Sequence, residues 1–311
     1  MSVSLQTICR KVAGGLATSL ILAGSLSAAS TWGPGVPIEK DLVYGRAGDV
    51  ELKMDLARPT EGTGPFPAVV WIHGGGWRMG TRTWGHGPIQ LLAWQGYVAI
   101  TITYRFAPQF PWPAQIHDAK AAVRYLRAHA KELNIDPERI GVMGESSGGH
   151  MALMVGLTGP DDGLEGDSGS PGFSSRVQAV VSYCTLTDFT QLKPRVATTE
   201  AEKTQTRALS TTVTDFGGTK DPNDPVWARL SPVTYADKND PPVLMFQGSA
   251  DPIVPEAQAH ILDEVMTRVG TPHRLFVAPG GGHEWKGELR EETNRQMLEF
   301  FRQHLKPKQS P

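Results

Sequence analysis

Cysteine is almost absent from this chain of 311 residues, which contains only Cys9 and Cys184. A disulfide-rich fold is therefore excluded, and stability must come from a hydrophobic core. The composition, 40% hydrophobic and 20% charged residues, is that of a globular protein able to bury such a core. Cys184 ends an apolar run, residues 177–184, where we expect a buried and inert thiol. The histidines also lack zinc-type spacing, so we expect no metal site.

An excess of charge of one sign is lacking as well. The chain has 30 Lys and Arg residues and 32 Asp and Glu residues, which give a formal net charge of −2. Binding to nucleic acid requires a clear basic excess. We therefore expect no nucleic-acid partner.

An uninterrupted apolar run of the roughly 20 residues that a membrane-spanning helix needs is missing near the N-terminus. The run at residues 12–26 is shorter and contains glycine, serine and threonine. It follows a basic pair at residues 10–11 and precedes small residues at 27–29, an arrangement typical of a secretory signal peptide. We expect residues 1–29 to be cleaved, with Ser30 as an alternative end. The remaining protein is then expected to be secreted or periplasmic, with no stable membrane anchor.

Short apolar runs alternate with helical patterns along most of the chain. This alternation predicts an α/β fold with a mostly parallel sheet and helices on both faces, in one domain over residues 41–305. Alternating polarity in residues 41–46 and 50–57 predicts an antiparallel leading edge. The other predicted strands are residues 67–73, 97–104, 139–143, 177–184, 242–246 and 273–277. The predicted helices are residues 88–95, 113–133, 150–157, 256–269 and 288–305, and residues 306–311 are expected to form a disordered tail.

One segment, Asp188 to Ser231, interrupts this alternation as an insertion before the penultimate strand. It is polar, rich in threonine, and contains several glycines and prolines. Long insertions in compact domains are often functional or mobile. Two interpretations stay open, a lid over a site and a solvated excursion without a role.

The residues Gly144 to Gly148 fit the pattern G-x-S-x-G between a predicted strand and a predicted helix. In that setting Ser146 lies on a strained turn, and the glycines allow strand and helix to approach closely. The amino terminus of the helix then directs N–H groups and a positive dipole toward a developing oxyanion. The pattern indicates a nucleophilic serine, and a plain turn capped by serine is the alternative.

Three consecutive glycines lie in the segment His73 to Trp77, directly after a predicted strand. Glycine leaves the backbone N–H groups unshielded, so they can approach a substrate oxygen. Gly75 and Gly76, together with the N–H of Ser147, are therefore predicted to form an oxyanion hole. A flexible turn is the alternative, and His73 itself is expected to have a structural hydrogen-bonding role.

A nucleophilic serine requires a histidine base and an acid, which in this architecture follow it in the order acid, then histidine. Of the histidines beyond Ser146, only His283 occupies a glycine-rich loop after a predicted strand. Asp251 follows the strand before that loop, and Asp188 is the competing acid. We favour Asp251 because its loop neighbours that of His283 in the predicted sheet. The predicted catalytic residues are thus Ser146, Asp251 and His283.

Four motifs together resemble a known family. They are His-Gly-Gly-Gly-Trp (73–77), Gly-Glu-Ser-Ser-Gly-Gly-His (144–150), Gly-Ser-Ala-Asp (248–251) and Gly-Gly-Gly-His (280–283). In this order they resemble the α/β-hydrolase serine esterases, and more narrowly the bacterial feruloyl and acetyl-xylan esterase-like group, which is related to the hormone-sensitive-lipase-like esterases. The resemblance covers residues 41–305 and implies the α/β-hydrolase fold. One departure is that strands are predicted before His73, where hormone-sensitive-lipase-like enzymes usually carry a helical cap.

The resemblance implies a serine carboxylesterase that forms an acyl-enzyme on Ser146 and needs no cofactor, and the expected signal peptide implies that it is exported. Its substrates would be short-chain or aromatic acyl esters, as small molecules or linked to polysaccharides, including acetyl or feruloyl esters of plant polysaccharides. Trp77 and Trp285 each lie within two residues of a proposed catalytic element, so they are the candidate substrate-binding walls. The alternatives are a peptidase or amidase of the same fold, similar to arylformamidases, and a non-catalytic binding protein.

Overall fold

A computed structural model of the protein describes residues 35–192 and 200–306, with residues 200–207 described by their backbone alone. The predicted signal peptide, residues 1–29, lies outside the described residues. The predicted tail is described only at Lys306, whose Nζ donates to the carbonyl oxygen of Gln95 at 2.6 Å. No helix within the described ranges is both long and apolar enough to cross a membrane.

Eight strands of the described residues form one sheet. They are β1 (Ile38–Ala47), β2 (Val50–Ala57), β3 (Phe66–Ile72), β4 (Val98–Ile102), β5 (Ile135–Glu145), β6 (Ala179–Tyr183), β7 (Val243–Gly248) and β8 (His273–Ala278). Their order in the sheet is β1-β2-β4-β3-β5-β6-β7-β8. The pairs β1-β2 and β2-β4 are antiparallel and every other pair is parallel. The mostly parallel sheet with an antiparallel leading edge is thereby confirmed.

Eight α-helices accompany these strands in the described chain. They are α1 (His86–Trp94), α2 (Ala114–Ala128), α3 (Ala130–Leu133), α4 (Ser147–Leu157), α5 (Glu200–Gly217), α6 (Val226–Leu230), α7 (Glu256–Val269) and α8 (Gly287–Leu305). The helix expected over residues 113–133 is broken at His129 into α2 and α3. Strand β5 begins four residues earlier than expected and includes Pro137.

Strand β3 explains why helices cover both faces of the sheet. Its side chains point alternately to opposite faces. Val70 and Ile72 pack into one hydrophobic core with α2, α4 and α7, whereas Val69 and Trp71 pack into a second core with α1 and α8. Because both sets are apolar, the strand is stable only when it is buried on both sides.

The insertion before the penultimate strand contains α5 and α6, neither of which was predicted. Helix α5 has 18 residues, although threonine and its other β-branched residues are poor helix formers. Its C-terminal part is amphipathic, and Val213 and Phe216 are buried in the core that α2 and α4 share. Tertiary packing therefore outweighs the low local propensity.

Candidate active site

The predicted site residues meet at the carboxyl edge of the parallel strands. Ser146 follows β5, Asp251 follows β7, His283 follows β8, and the glycine loop follows β3. Loops at this edge of neighbouring parallel strands converge, and open α/β sheets bind their ligands there. The fold thus brings together segments that are far apart in the sequence.

Ser146, His283 and Asp251 form a continuous hydrogen-bonded chain. The Nε2 atom of His283 lies 3.1 Å from Oγ of Ser146. Its Nδ1 atom lies 2.8 Å from Oδ2 of Asp251. The side chain of Asp251 is fully buried, whereas that of His283 is 17% exposed. The imidazole can therefore accept a proton from the serine while the carboxylate fixes its tautomer.

The serine lies on a turn that requires glycine at positions 144 and 148. Ser146 has φ 55° and ψ −121°, and its N–H donates to the carbonyl of Tyr183 at 2.8 Å. A Cβ on Gly148 would lie 2.1 Å from the carbonyl oxygen of Ile72, and one on Gly144 would lie 2.2 Å from that of Gly148. Both glycines are thus required for the close approach of β5, α4 and β3. The same packing starts α4 at Ser147, three residues earlier than expected.

The carboxylate of Asp251 is held by its own loop. Its Oδ1 atom accepts the backbone N–H groups of Ile253 (2.8 Å) and Val254 (2.9 Å), which leaves Oδ2 for His283. The competing Asp188 instead accepts from Thr190 and Gln191 in a separate turn. The geometry therefore favours Asp251 as the acid.

The acid loop and the histidine loop are joined to each other. Ala250 N–H donates to the carbonyl of Gly281 at 2.9 Å. A Cβ on Gly248 would lie 2.3 Å from that same carbonyl oxygen, so only glycine permits this contact. The Ala250–Gly281 hydrogen bond and the close approach of Gly248 to Gly281 together fix the distance between Asp251 and His283.

The surroundings of His283 shift its pKa. Burial works to lower its pKa, but the hydrogen bond to the Asp251 carboxylate, the interaction with Cys184 and the charge of Asp251 together outweigh this effect and raise the pKa above its ordinary value. Cys184 is buried, as expected, and its thiol donates to the carbonyl of His283 at 3.5 Å. The ligand atoms of Cys184, Asp251 and His283 lie within 4.8 Å of one another, although the Asp251 and His283 atoms already bond to each other.

The glycine loop lies against Ser146 at Gly74. A Cβ on Gly74 would lie 3.3 Å from Cβ of Ser146 and 3.0 Å from the carbonyl oxygen of Glu145. Gly75 and Gly76 have φ values of 112° and 61°, in the region that favours glycine. Gly74 therefore contacts Ser146, the predicted oxyanion-hole glycines follow it directly in the chain, and Ser147 begins α4.

His73 is a structural residue of this loop. Its ring is completely buried, its Nδ1–H donates to the carbonyl of Gly74 at 2.7 Å, and it stacks on Tyr104 with ring centroids 4.5 Å apart. Burial lowers the pKa of His73 to about 4, so the ring is neutral. The expected hydrogen-bonding role matches these contacts.

Trp77 and Trp285, predicted as substrate-binding walls, are instead packed inside the protein. They are only 3% and 4% exposed. Trp77 stacks on Phe216 of α5 with ring centroids 4.2 Å apart, and Trp285 packs edge-on against Tyr183 in the core of α1 and α8. Neither ring presents a free face to a ligand, so this expectation is corrected.

Sequence reasoning missed the contacts that support the site from outside the motifs. Phe216 covers Trp77 from an insertion whose composition suggested a loop. Arg290 of α8 donates to Glu145, beside Ser146, at 2.7 Å and also to the carbonyl of Trp285 at 3.0 Å. No local pattern could have indicated Phe216 as the partner of Trp77 or Arg290 as the partner of Glu145, because each pair lies more than 100 residues apart in the chain.

The strand order and the serine, acid and histidine loops define an α/β-hydrolase fold. The BD-FAE family model matches residues 54–266 of the chain. Since the match covers more than half of the sequence, the chain belongs to the BD-FAE family.

Relatives and solved structures agree with this assignment. Esterase LipC of Mycobacterium tuberculosis is 31% identical over 243 residues, which cover 76% of this chain and 56% of LipC. The chain spans about half the length of the curated relatives it matches. A truncated carbohydrate esterase from gut microbiota superposes with a TM-score of 0.74 at 28% identity, covering 89% of this chain and 98% of that one.

A third similar protein is a thermophilic esterase from the planctomycete Thermogutta terrifontis, Est2. It superposes with a TM-score of 0.71 at 26% identity and covers 89% of this chain and 96% of its own. Structures of Est2 with bound butyrate or propionate, at 25% identity, have TM-scores of 0.68 and 0.69.

Proposed function

We propose that the protein is a serine carboxylesterase that works through an acyl-enzyme on Ser146. The observation that carries this proposal is the unbroken chain from Ser146 Oγ through His283 to the buried Asp251 carboxylate. The glycine loop contacts Ser146 through Gly74 and carries Gly75 and Gly76 with positive φ, and we assign the N–H groups of these two glycines to the oxyanion hole. The names of the similar proteins also support the proposal, since they include esterases and a carbohydrate esterase.

In the first half of the reaction, Ser146 Oγ attacks the carbonyl carbon of the ester while its proton passes to Nε2 of His283. Asp251 stabilises the imidazolium that forms. The carbonyl oxygen becomes an oxyanion, which the N–H groups of Gly75, Gly76 and Ser147 bind at the start of α4. The intermediate then collapses, and His283 returns the proton to the departing alkoxide, which leaves as the alcohol.

In the second half, water attacks the acyl-enzyme and gives its proton to His283. The second tetrahedral intermediate expels Ser146, which takes the proton back, and the carboxylic acid leaves. These steps use only groups of the chain and one water molecule, so atoms and charges balance without a cofactor.

The acyl group is proposed to be short-chain or aromatic, with acetyl or feruloyl esters of polysaccharides as candidate substrates. Two exposed apolar side chains adjoin the glycine loop, Met79 (61% exposed) and Trp84 (51% exposed). This area is small, and each CH₂ of a long chain that stays in water forgoes about 0.8 kcal/mol of binding. The bound butyrate and propionate of Est2 support the same size range.

A panel of nitrophenyl esters from acetate to palmitate, together with a feruloyl ester and aminoacyl anilides, tests this proposal. We expect kcat/KM to be highest for a short-chain or feruloyl ester, with little cleavage of the anilides. A maximum at palmitate with activation at an oil interface would indicate a lipase. Faster cleavage of the anilides would indicate a peptidase or amidase, and no turnover of either class would indicate a binding protein.

We further propose that the chain is exported, because residues 10–29 combine a basic pair, an apolar run and small residues. The expected mature N-terminus is Ser30 or the residue after it. Mass spectrometry of the protein recovered from the medium and the periplasm tests this proposal. An intact N-terminus on protein that stays in the cytoplasm would contradict it.

A further inference from the structure

A buried chain of hydrogen bonds links the insertion, the nucleophile helix and the glycine loop. The indole Nε1–H of Trp77 donates to Nδ1 of His150 at 3.2 Å. His150 Nε2–H in turn donates to the carbonyl of Leu230 at 2.7 Å. His150 lies in α4, four residues after Ser146, and Leu230 ends α6. The three side chains are at most 3% exposed.

This chain requires a neutral imidazole with its proton on Nε2, because an imidazolium has two donors and could not accept from Trp77. Burial lowers the pKa of His150 to about 4, which keeps the ring neutral. The neighbouring rings are aromatic and uncharged, with the centroids of Phe189 and Phe216 at 5.2 and 5.6 Å. His150 therefore has one tautomer and one orientation.

The backbone beside Trp77 is held in an uncommon conformation. Gly75, Gly76 and Trp77 all have positive φ, and the value for Trp77 is 57°. Such a conformation costs a bulky residue about 1–3 kcal/mol and persists only where its surroundings enforce it. Trp77 is anchored at its ring by Phe216 and His150, and at its carbonyl oxygen by Ala107 N–H at 2.9 Å.

We propose that His150 is a positioning residue that holds Trp77, and through Trp77 the N–H groups of Gly75 and Gly76, in place beside Ser146. The inference rests on the oxyanion-hole role proposed for these glycines. Oxyanion stabilisation operates in the transition state, so weakening it lowers kcat and leaves KM nearly unchanged. Loss of one oxyanion donor costs about 10²–10³ in kcat, and we expect roughly tenfold for a displaced loop.

Two substitutions of His150 test its two hydrogen bonds one at a time. In His150→Asn the side-chain oxygen takes the place of Nδ1 and can still accept from Trp77. In His150→Gln the side-chain nitrogen takes the place of Nε2 and can still donate to Leu230. We expect His150→Gln to lower kcat on nitrophenyl acetate roughly tenfold, and His150→Asn to stay within about twofold of the parent. Trp77→Phe keeps the stack on Phe216 but loses the N–H, and it should match His150→Gln.

The thermal midpoint of each variant, measured together with kcat and KM, separates positioning from stability. The double variant Trp77→Phe/His150→Gln should lose no more kcat than either single variant, since both remove the same bond. Equal losses in His150→Asn and His150→Gln that follow the thermal midpoint would overturn the inference. An unchanged kcat in Trp77→Phe would overturn it even if the His150 variants failed to fold.

Ser146→Ala is assayed on nitrophenyl acetate together with the His150 and Trp77 variants. If that variant still hydrolyses the ester, the proposed function fails. If it is inactive while Trp77→Phe and His150→Gln keep the parental kcat, only the positioning role fails.

Discussion

The acid and histidine loops and the glycine loop lie at the same sheet edge, yet they are supported by different parts of the chain. Asp251 and His283 are fixed by bonds within two adjacent loops, including Ala250 N–H to Gly281. The glycine loop is held at Trp77 by Phe216 of the insertion and by His150 of α4, which also donates to Leu230 of the insertion. One half of the site is therefore locally determined, and the other depends on long-range packing.

The two halves of the site should therefore respond to different substitutions. Changes in the insertion should leave the acid and base in place and act on the oxyanion. Changes in the β7 and β8 loops should act on proton transfer and leave the glycine loop in place. Substitutions in each half, and at the serine where the halves meet, test this separation.

Ser146→Ala should have the largest effect, because both halves act on this hydroxyl. We expect kcat to fall by about 10⁶, with a residual acceleration over water near 10³ from the intact oxyanion half. The measurement is kcat/KM on nitrophenyl acetate, with the thermal midpoint as the control for folding. Substantial labelling of this variant by a fluorophosphonate would show that another residue is the nucleophile.

Asp251→Asn tests the acid–base half, with Asp188→Asn as the matched control. We expect a loss of about 10⁴ in kcat for the first and little change for the second. The Asp251 carboxylate raises the pKa of His283, and activity requires the neutral imidazole, so activity falls as the pH drops through this pKa. Removing the charge lowers the pKa, so the acidic limb of the pH–rate profile should move to lower pH. An inactive Asp188→Asn with an active Asp251→Asn would reassign the acid.

Phe216→Ala tests the oxyanion half and should have the smallest effect on rate. Truncating this buried ring should destabilise the protein by about 3 kcal/mol and lower kcat roughly tenfold, with the pH profile unchanged. Arg78→Ala is the matched control, since Arg78 pairs with Asp215 of α5 at 3.2 Å but is 37% exposed. It should cost less than about 1 kcal/mol. A shifted pH profile in Phe216→Ala would show that the two halves are coupled.

The same division explains how much could be predicted from sequence. The buried strands are continuous apolar runs, and the turn at Ser146 and the loops of Asp251 and His283 carry short glycine-containing motifs, so local patterns indicate them. The burial of Trp77 could not be predicted, because it depends on Phe216. That residue lies 139 positions further along the chain, in a helix with poor local propensity. The early start of α4 has a related reason, because Gly148 and Gly149 in its first turn make close contacts with β3 and β6.

The spacing of the triad along the chain has a consequence for the order of folding. Asp251 and His283 are 32 residues apart, whereas Ser146 and His283 are 137 apart. Closing the longer loop costs about 1.3 kcal/mol more in chain entropy, and it also requires β5, β6 and β7 to be in register. During folding, His283 should therefore contact Asp251 before it contacts Ser146. During refolding from denaturant, recovered esterase activity should then lag behind the circular dichroism signal and report completion of the whole sheet.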